Sequence, residues 1–444
     1  MKKCLTRCAV AAALILIALL VMVLQPNAPG IQMGKPLPPG KVEPQLVNAG
    51  DMALLLAPDG SLWAWGETYL NLTNLLPQPV ISQFPQRIGS AKDWTQVAGG
   101  WWHTVALKDD GSLWAWGWNG QGVVGQANLT NHYGTPTRIG DETNWTQVCA
   151  GYGHSLALKK DGSLWAWGFN CYGQLGDGTT NNRSIPIAIG TDRDWRTIAG
   201  TAFNSYSLKS NGTIWGWGYS LTNNGLAPMQ IGPDPNWLAI SACGSTVLAL
   251  KTDGTLWIEG LNTNRVASDP LFGSREDFIQ IGRDRDWAEV YATTVSLWAH
   301  KIDGSWWVCG LQQGGGRQLA VGTSVTEAPS PQRLPLDFAP WAFAPGQGTI
   351  LLLGKDGRLW TWGRRLGAGQ PSAARRKIEA FLAPAVKRFP ALRFLLKSDI
   401  DQTPCLLWEL PPEVRRSLGT RPKSATNNVT AGRPANAPAR AAGS

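Results

Sequence analysis

The feature that most constrains this chain is an eight-residue phrase that recurs along it and reads DGSLWAWG in its first three copies. The seven copies begin at Asp59, Asp110, Asp161, Asn211, Asp253, Asp303 and Asp356. Most successive copies start about 50 residues apart, and a near-constant period of this length indicates a propeller or a solenoid. The chain is therefore predicted to fold as an array of similar supersecondary units.

Each unit predicts four short β-strands. In residues 93–140, HTVALK and SLWAW alternate apolar and polar positions around an Asp-Gly turn, which is the strongest short-range hairpin signal. DWTQVAGG before this hairpin and PTRIG after it supply two more strands. Because one such sheet cannot bury both faces alone, the units must stack, and a ring removes the open ends. We predict an all-β, seven-bladed β-propeller over residues 45–365, preceded by an N-terminal hydrophobic helix.

The tryptophans support the same architecture. The chain holds 24 Trp against 7 Tyr and 10 Phe, as expected when one Trp-bearing unit is copied several times. We expect the aromatic positions of LWAW to fill the space between blades. The second Trp of the phrase is replaced by Glu259 and Cys309 in the fifth and sixth copies, which predicts different packing there.

One unit carries a family resemblance almost in full. Gly151–Thr179 reads GYGHSLALKKDGSLWAWGFNCYGQLGDGT, which resembles the regulator of chromosome condensation repeat family in its G-x-x-H-[ST]-x-A-L stretch and its D-G-x-[LV]-[WY]-x-W-G phrase. The resemblance covers about residues 45–365 and implies a seven-bladed propeller of roughly 50-residue blades. It also implies a binding role, since that family includes an exchange factor for a small nuclear GTPase and similar repeats form a secreted β-lactamase inhibitor.

The N-terminus is typical of a targeting segment. Lys2, Lys3 and Arg7 precede an unbroken apolar run that ends at Leu24, so residues 1–24 are predicted to be a removed signal peptide or an uncleaved signal-anchor helix. Residues 25–44 contain six Pro and are interpreted as a spacer. Both alternatives export the propeller, either secreted or periplasmic, or held at the cell membrane by a single span with its N-terminus in the cytoplasm.

The C-terminal region is less regular and carries the positive charge. Residues 366–418 supply the last strand of blade seven, a cap or a degenerate eighth repeat, and residues 419–444 read as a disordered basic tail. From Arg364 onward there are 15 Lys and Arg against 5 Asp and Glu, which leaves the preceding residues close to neutral although the chain carries +9. A nucleic-acid-binding body would carry its own basic face, so no nucleic-acid partner is expected.

No pattern predicts catalysis, a metal or a cofactor. His103 and His154 share one repeat position with Asn204, Thr246, Ser296, Thr349 and Met52, a series suited to satisfying turn backbone groups rather than to acid–base chemistry. His132 and His300 have no partner at ligand spacing. The repeated Asp residues lead hairpin turns. We therefore predict that the chain is not an enzyme.

The candidate binding residues are aromatic. The turn before the His position carries Trp101 and Trp102 in blade two, Tyr152 in blade three and Phe203 in blade four, and corresponding turns share one rim of a propeller. Clustered exposed aromatics are the usual anchors of protein interfaces, although these four residues would also serve to fill the central channel. As a second binding surface we predict the long loops at Trp118–Tyr133, Phe169–Arg183 and Gln312–Pro331, assigned to the opposite rim.

Together these features predict a non-enzymatic exported scaffold that uses a propeller rim to bind a protein partner, which the sequence does not identify. The alternative is a lectin-like propeller that binds cell-surface glycan or cell wall, because repeated aromatic loops on a ring suit multivalent stacking on sugars.

Overall fold

The structure, a computed structural model, describes residues 41–49, 52–68, 80–127, 132–219, 225–243, 246–260, 278–293, 296–311, 327–334, 336, 340–346, 349–364 and 400–409. All of them belong to one compact unit, Pro36–Gly369 with Asp399–Ser444. A second unit, Met1–Lys35 with Gln370–Ser398, lies outside the described residues.

Seven four-stranded antiparallel sheets form the seven blades, each with its strands in chain order from the first to the fourth. Blades one and two consist of β1 (Gln45–Ala49), β2 (Met52–Leu56), β3 (Leu62–Thr68), β4 (Val80–Arg87), then β5 (Trp94–Gly99), β6 (His103–Lys108), β7 (Leu113–Trp118) and β8 (His132–Arg138). Blades three and four consist of β9 (Trp145–Ala150), β10 (His154–Lys159), β11 (Leu164–Gly168), β12 (Arg183–Ala188), then β13 (Trp195–Gly200), β14 (Asn204–Lys209), β15 (Ile214–Gly218) and β16 (Met229–Gln230).

Blades five and six consist of β17 (Trp237–Cys243), β18 (Thr246–Lys251), β19 (Leu256–Gly260), β20 (Ile279–Ile281), then β21 (Trp287–Ala292), β22 (Ser296–Lys301), β23 (Trp306–Leu311) and β24 (Glu327–Arg333). Blade seven consists of β25 (Pro340–Pro345), β26 (Thr349–Gly354), β27 (Arg358–Arg364) and β28 (Ile400–Glu409). The fold is thus the all-β, seven-bladed propeller that the repeat predicts.

The recurring phrase builds a turn with its own hydrogen bonds. In blade two, Oδ1 of Asp110 accepts from the backbone N–H and the hydroxyl of Ser112, at 2.8 and 2.5 Å, and the Ser112 oxygen accepts from the indole N–H of Trp114 at 2.8 Å. The bonds from Ser112 hold the pKa of Asp110 below its usual value. The same arrangement recurs in blades one to six, with Asn211 in place of Asp in blade four.

A tryptophan–lysine–tryptophan stack lies beside each of these turns in blades two to six. In blade three the ammonium of Lys159 lies 4.6 Å from the ring centre of Trp145 and 3.5 Å from that of Trp165. Its charge is paired with Glu142 at 2.7 Å. The lysines at the equivalent position are Lys108, Lys209, Lys251 and Lys301. The cation–π contacts therefore join the first three strands of each of these blades. In blade three the ion pair also joins Lys159 to the connection that precedes the first strand.

Hydrophobic clusters fill the spaces between blades. The second Trp of the phrase is fully buried in blades one to four, and Trp116 of blade two packs with Leu54 and Leu62 of blade one. Glu259 and Cys309, which replace it in blades five and six, are also buried. In blade six a different tryptophan, Trp298 on β22, is buried in the same cluster as Cys309. The altered packing predicted for blade six is therefore a tryptophan from β22 in place of the second tryptophan of the phrase.

The ring closes between blade seven and blade one without a shared strand. Leu46 and Trp65 of blade one pack with Leu351 of blade seven. The amide Nδ2 of Asn48 donates to the carbonyl of Thr349 at 2.9 Å. Non-covalent contacts of this kind therefore hold together blades some 300 residues apart.

The strand β28 completes blade seven by pairing with β27. The last strand of blade seven therefore lies at Ile400–Glu409, within residues 366–418, and the described residues form no eighth sheet. Four other predictions concern residues outside the described ranges: a cap or eighth repeat at 366–399 and 410–418, the helix at 1–24, most of the spacer at 25–44 and the tail at 419–444. Within the described ranges, no helix is long and apolar enough to cross a membrane.

Candidate partner-binding rim

The first connection of a blade, between its first and second strands, lies at the same rim as the third, between its third and fourth strands. The prediction that placed the long loops opposite the aromatic turns is therefore wrong. In an antiparallel sheet with strands in chain order, the first and third connections emerge on one side. Accordingly, the backbone N–H of Trp118, which begins the third connection of blade two, donates to the carbonyl of Trp102 in the first, at 2.8 Å. Their indoles lie 5.4 Å apart.

The four predicted binding residues come together on this rim. The ring centres of Trp101 and Trp102 lie 4.4 and 5.4 Å from that of Tyr152, and Tyr152 lies 6.1 Å from Phe203. The third connections add four more rings. Trp118 contacts Trp102, Tyr172 and Tyr219 both contact Phe203, and Phe169 contacts Tyr172. These eight residues of blades two to four form one continuous surface, here called the aromatic belt.

The belt is open to solvent. Tyr172 and Tyr219 are 40% and 56% exposed and stand among the most exposed large apolar side chains of the described residues. The other six members are half-buried, including all four predicted binding residues. The alternative that these four only fill the channel therefore does not account for the exposed rings that continue the belt.

Blade-to-blade backbone contacts hold the belt turns in place. The N–H of Trp101 donates to the carbonyl of Tyr152 at 3.3 Å, and the N–H of Tyr152 donates to the carbonyl of Thr201 at 3.1 Å. Gly151 allows this approach, because a Cβ there would lie 2.7 Å from the Thr201 oxygen and 2.2 Å from the His154 ring. The turns of three blades thus form a hydrogen-bonded arc.

The two histidines below these turns join neighbouring blades. Nε2 of His103 lies 2.9 Å from Oγ of Ser155 in blade three, and that hydroxyl donates to the carbonyl of Val123 at 3.2 Å. Since the hydroxyl proton is used for Val123, the imidazole is the donor and carries its proton on Nε2. His154 repeats the arrangement with Ser205 of blade four at 2.9 Å. The sequence predicted that these side chains would bond to backbone groups of their own turns. Instead, each ring bonds to a serine of the next blade.

Burial keeps both imidazoles neutral. Burial, assisted by the neighbouring His154, lowers the pKa of His103 to about 3, and burial lowers the pKa of His154 to about 4. A group that stays neutral and donates to a buried hydroxyl performs a structural task. Neither histidine is placed for proton transfer to a ligand on the belt.

The loop that presents Tyr172 is held by its own polar network. Nδ2 of the buried Asn170 donates to Oδ1 of Asp177 and to the carbonyls of Thr179 and Asn181, at 3.0–3.1 Å. Asp177 also pairs with Arg183 at 2.7 Å. Although burial raises the pKa of Asp177, the hydrogen bonds from Thr179 and Arg183 outweigh it and leave the pKa below its usual value. The loop is therefore preorganised.

The two rims differ in charge. In the described first and third connections of blades two to four, the acidic and basic side chains are Asp177 and Arg183, which pair with each other. The exposed amides Gln121 and Asn182 bond to each other at 2.6 Å beside the belt. The opposite rim carries the Asp-Gly turns and their lysines. The belt therefore suits an uncharged contact surface.

No group of three or more His, Cys, Asp or Glu within the described ranges is placed to hold a metal ion. Cys149 is buried, and burial raises the pKa of its thiol to about 12, so it is not an activated nucleophile.

Comparison with known proteins places these repeats in a family. The sequence profile of the Regulator of chromosome condensation (RCC1) repeat matches residues 59–107, 110–158 and 161–205, and a second profile of the same repeat matches residues 94–123 and 145–174. Residues 59–205 carry RCC1 repeats. The matched RCC1 repeats run from the turn of one blade into the second strand of the next, over the blades that carry the belt.

Curated relatives share the RCC1 repeats over part of their length. The Ultraviolet-B receptor UVR8 of Arabidopsis thaliana is 32% identical over 144 residues, which cover 30% of this chain and 31% of that protein. The Protein RCC2 homolog of Xenopus laevis is 33% identical over 143 residues, which cover 30% of this chain and 27% of that protein. The matched segment thus spans about a third or less of these relatives.

Solved structures share the fold. Human WBSCR16 matches with a TM-score of 0.59 at 18% identity, covering 72% of this chain and 91% of that chain. Yeast RCC1 (Prp20), solved with Kap60 bound, matches with a TM-score of 0.59 at 17% identity, covering 77% and 85%. At these identities the likeness shows the propeller fold alone.

Trp118, Phe169 and Tyr172 were predicted only as part of the loops of a second surface, and Tyr219 was not predicted, although a signal for three of these four residues was present. Trp118, Phe169 and Tyr219 each follow directly on the last Gly of the repeated phrase in blades two, three and four. An aromatic at one fixed position of three RCC1 repeats marks a shared surface. Tyr172 lies within a variable loop and carries no such signal.

Proposed function

We propose that this RCC1-repeat propeller is an exported, non-enzymatic scaffold that binds a protein partner through the aromatic belt. The observation that carries the proposal is the continuous surface of eight aromatic rings, with Tyr172 and Tyr219 exposed, on turns held by hydrogen bonds between blades. Tyr and Trp supply large, rigid contact area at low entropic cost, and they dominate binding hot spots.

The preorganised turns support binding rather than only packing. A surface whose backbone is already fixed loses little conformational freedom when a partner binds, so more of its contact energy appears as affinity. The arc through Trp101, Tyr152 and Thr201 and the network around Asn170 provide this rigidity. Yeast RCC1 (Prp20) has been solved with Kap60 bound, and a study of Prp20p treats its binding to Gsp1p and histones, so related propellers serve as binding proteins.

Export is proposed on the sequence of residues 1–24, where basic residues precede an uninterrupted apolar run. An exported scaffold meets partners at the cell surface or in the surrounding compartment, and an uncleaved segment would hold it at the membrane. Fractionation of cells and N-terminal sequencing of the mature chain test this part. An N-terminus that begins at Met1 on a chain found in the soluble cytoplasmic fraction contradicts it.

Glycan binding is the second candidate. The belt places exposed tyrosines beside the amides of Gln121 and Asn182 without unpaired charge, which is a surface able to stack on sugar rings and to bond their hydroxyls. Repetition across three blades would give such binding multivalency.

The experiment that separates the candidates combines a pull-down on cell-surface proteins with a glycan array. Both use the full chain and a variant with Trp101, Trp102, Tyr152 and Phe203 changed to Ala. Saturable capture of a protein that the variant loses supports the proposal. Saturable sugar binding with no protein partner favours the glycan candidate, and a folded variant that keeps every ligand contradicts the belt as the site.

A further inference from the structure

The mouth of the central channel lies next to the aromatic belt. A cavity of about 260 Å³ is lined by the first strands of all seven blades. The lining includes the last residues of six of these strands: Gly99, Ala150, Gly200, Cys243, Ala292 and Pro345. In blades two, three and four the belt turns begin directly after these residues. The cavity therefore lies at the belt end of the channel.

The lining of the channel mouth is uncharged. None of its residues is acidic or basic, and several are half-buried alanines, among them Ala98, Ala150 and Ala242. A charged group placed there would lose hydration without gaining a counter-charge, which is costly. An uncharged apolar group would instead gain by leaving water.

The size of the cavity limits what enters it. An apolar cavity of about 150 Å³ accommodates benzene, whereas sites for whole drug-sized ligands measure about 300–1,000 Å³. At about 260 Å³ the channel mouth has room for one or two side chains rather than for a complete ligand. Its natural occupant is therefore part of a larger molecule.

Polar side chains of neighbouring blades fix the walls of the channel. Oε1 of Gln45 in blade one accepts from the N–H of Val97 in blade two at 3.1 Å. Gln96 repeats this bond to Val148 at 2.9 Å. Between blades five and six, Oγ of Ser241 accepts from the N–H of Ala292 at 2.9 Å. These bonds join the first strands of three pairs of neighbouring blades, so this part of the mouth is formed before anything binds.

We infer that the belt and the channel mouth are one site, and that the protein partner inserts an uncharged apolar side chain from the tip of a protruding loop into the mouth. The inference rests on the proposed function, because the belt supplies the surrounding contacts. In protein interfaces the dominant side chains occupy central, desolvated pockets and are encircled by contacts that exclude water. Here the channel supplies the pocket and the belt supplies the contacts beside it.

The test uses a phage library of disulfide-closed random heptapeptides selected on the full chain. We expect enriched peptides to carry an uncharged apolar residue at the loop tip. Ala242→Phe, which fills the mouth, should weaken their binding about tenfold or more, as loss of a pocket-filling anchor does. Ala188→Phe, on the exposed outer strand of blade three, is the matched control and should leave binding unchanged.

The cysteines give a second measurement that does not depend on how Ala242→Phe folds. Cys243 lines the mouth and the exposed Cys171 lies in the belt loop, so maleimide modification of each, read by peptide mass spectrometry, reports on one part of the site. Bound peptide should slow modification of both. Protection of Cys171 alone, with binding insensitive to a folded Ala242→Phe, overturns the channel inference and leaves the belt proposal standing.

The remaining outcomes are also decisive. Peptides that bind the fourfold belt variant as well as the wild type contradict the proposed function itself. Enriched peptides with charged tips, or no enriched peptide at all, overturn the channel inference, because the library contains every apolar loop tip that the mouth should accept.

Discussion

The imidazole of His103 donates from Nε2 to the hydroxyl of Ser155 in the next blade, across 2.9 Å. The same bond joins His154 to Ser205. Both rings are buried and neutral, so protonation would disrupt these links between blades two, three and four. The stability of the fold should therefore depend on pH.

Acid should weaken the fold through these histidines. Their folded pKa values, about 3 and about 4, lie below the ordinary value of 6.5, so the unfolded chain binds more protons below pH 6.5. Their contribution is complete above pH 6.5 and is lost as the pH falls from 6.5 toward 4 and 3. Urea unfolding at a series of pH values measures this loss, in which each unit of pKa difference corresponds to about 1.4 kcal/mol of unfolding free energy.

The control for this pH dependence is His103→Asn with His154→Asn, since blade four carries Asn204 at the same position. The double variant should show a shallower fall of the unfolding free energy between pH 6.5 and 4. Parallel pH profiles for the variant and the wild type would exclude the histidines as the cause.

Two features require glycine in the Asp-Gly turn: its positive φ and the close approach of the chain that leads into the next blade. Gly162 has a φ of +79°, and a Cβ there would lie 1.9 Å from the carbonyl oxygen of Arg193. Gly190 has a φ of +62° but nothing within 4 Å of an added Cβ. We expect Gly190→Ala to cost about 1 kcal/mol and Gly162→Ala clearly more, from thermal and urea unfolding. Equal costs would mean that the contact with the next blade is unimportant.

The indole N–H of Trp167 should contribute measurably to stability. It donates to the carbonyl of Val123 in blade two at 2.9 Å, whereas the equally buried Trp116 has no hydrogen-bond partner for its N–H within the described residues. Trp167→Phe should therefore cost about 1 kcal/mol more than Trp116→Phe, both measured by urea unfolding. A smaller cost for Trp167→Phe would refute a stabilising bond.

The stack around Lys159 should depend on the lysine more than on its carboxylate. Lys159→Met removes the cation from between two indoles, which should cost about 1–2 kcal/mol of unfolding free energy. Glu142 is half-exposed, so Glu142→Gln should cost less than about 1 kcal/mol. If Glu142→Gln proves the more damaging change, the ion pair rather than the stack holds these strands together.

The fold could be predicted from the sequence because its signal is local. Each Asp-Gly turn joins two strands that are adjacent in sequence, and seven copies define seven blades. The position of β28 could not be predicted, because 35 residues separate it from β27 and no Asp-Gly signal pairs the two strands in the sequence. The stack was missed because Trp145, Lys159 and Trp165 come from three different strands, although the Lys recurs at one position of five units.

The candidate site was predicted only in part. Trp101, Trp102, Tyr152 and Phe203 lie in the same turn of the repeat, which was sufficient to place them together. The loops that begin at Trp118 and Phe169 were assigned to the wrong rim, because the length and composition of a loop do not show at which rim it lies. The direction comes from the antiparallel order of the strands, which returns the third connection to the rim of the first.

Binding of a protein partner by the aromatic belt is tested by the dissociation constant of the captured partner for three chains. These are the wild type, the variant with Trp101, Trp102, Tyr152 and Phe203 changed to Ala, and an opposite-rim control, Lys160→Ala with Arg193→Ala. We predict that the belt variant binds at least about a hundredfold more weakly while the control is unchanged. A folded belt variant with the wild-type dissociation constant would contradict the account.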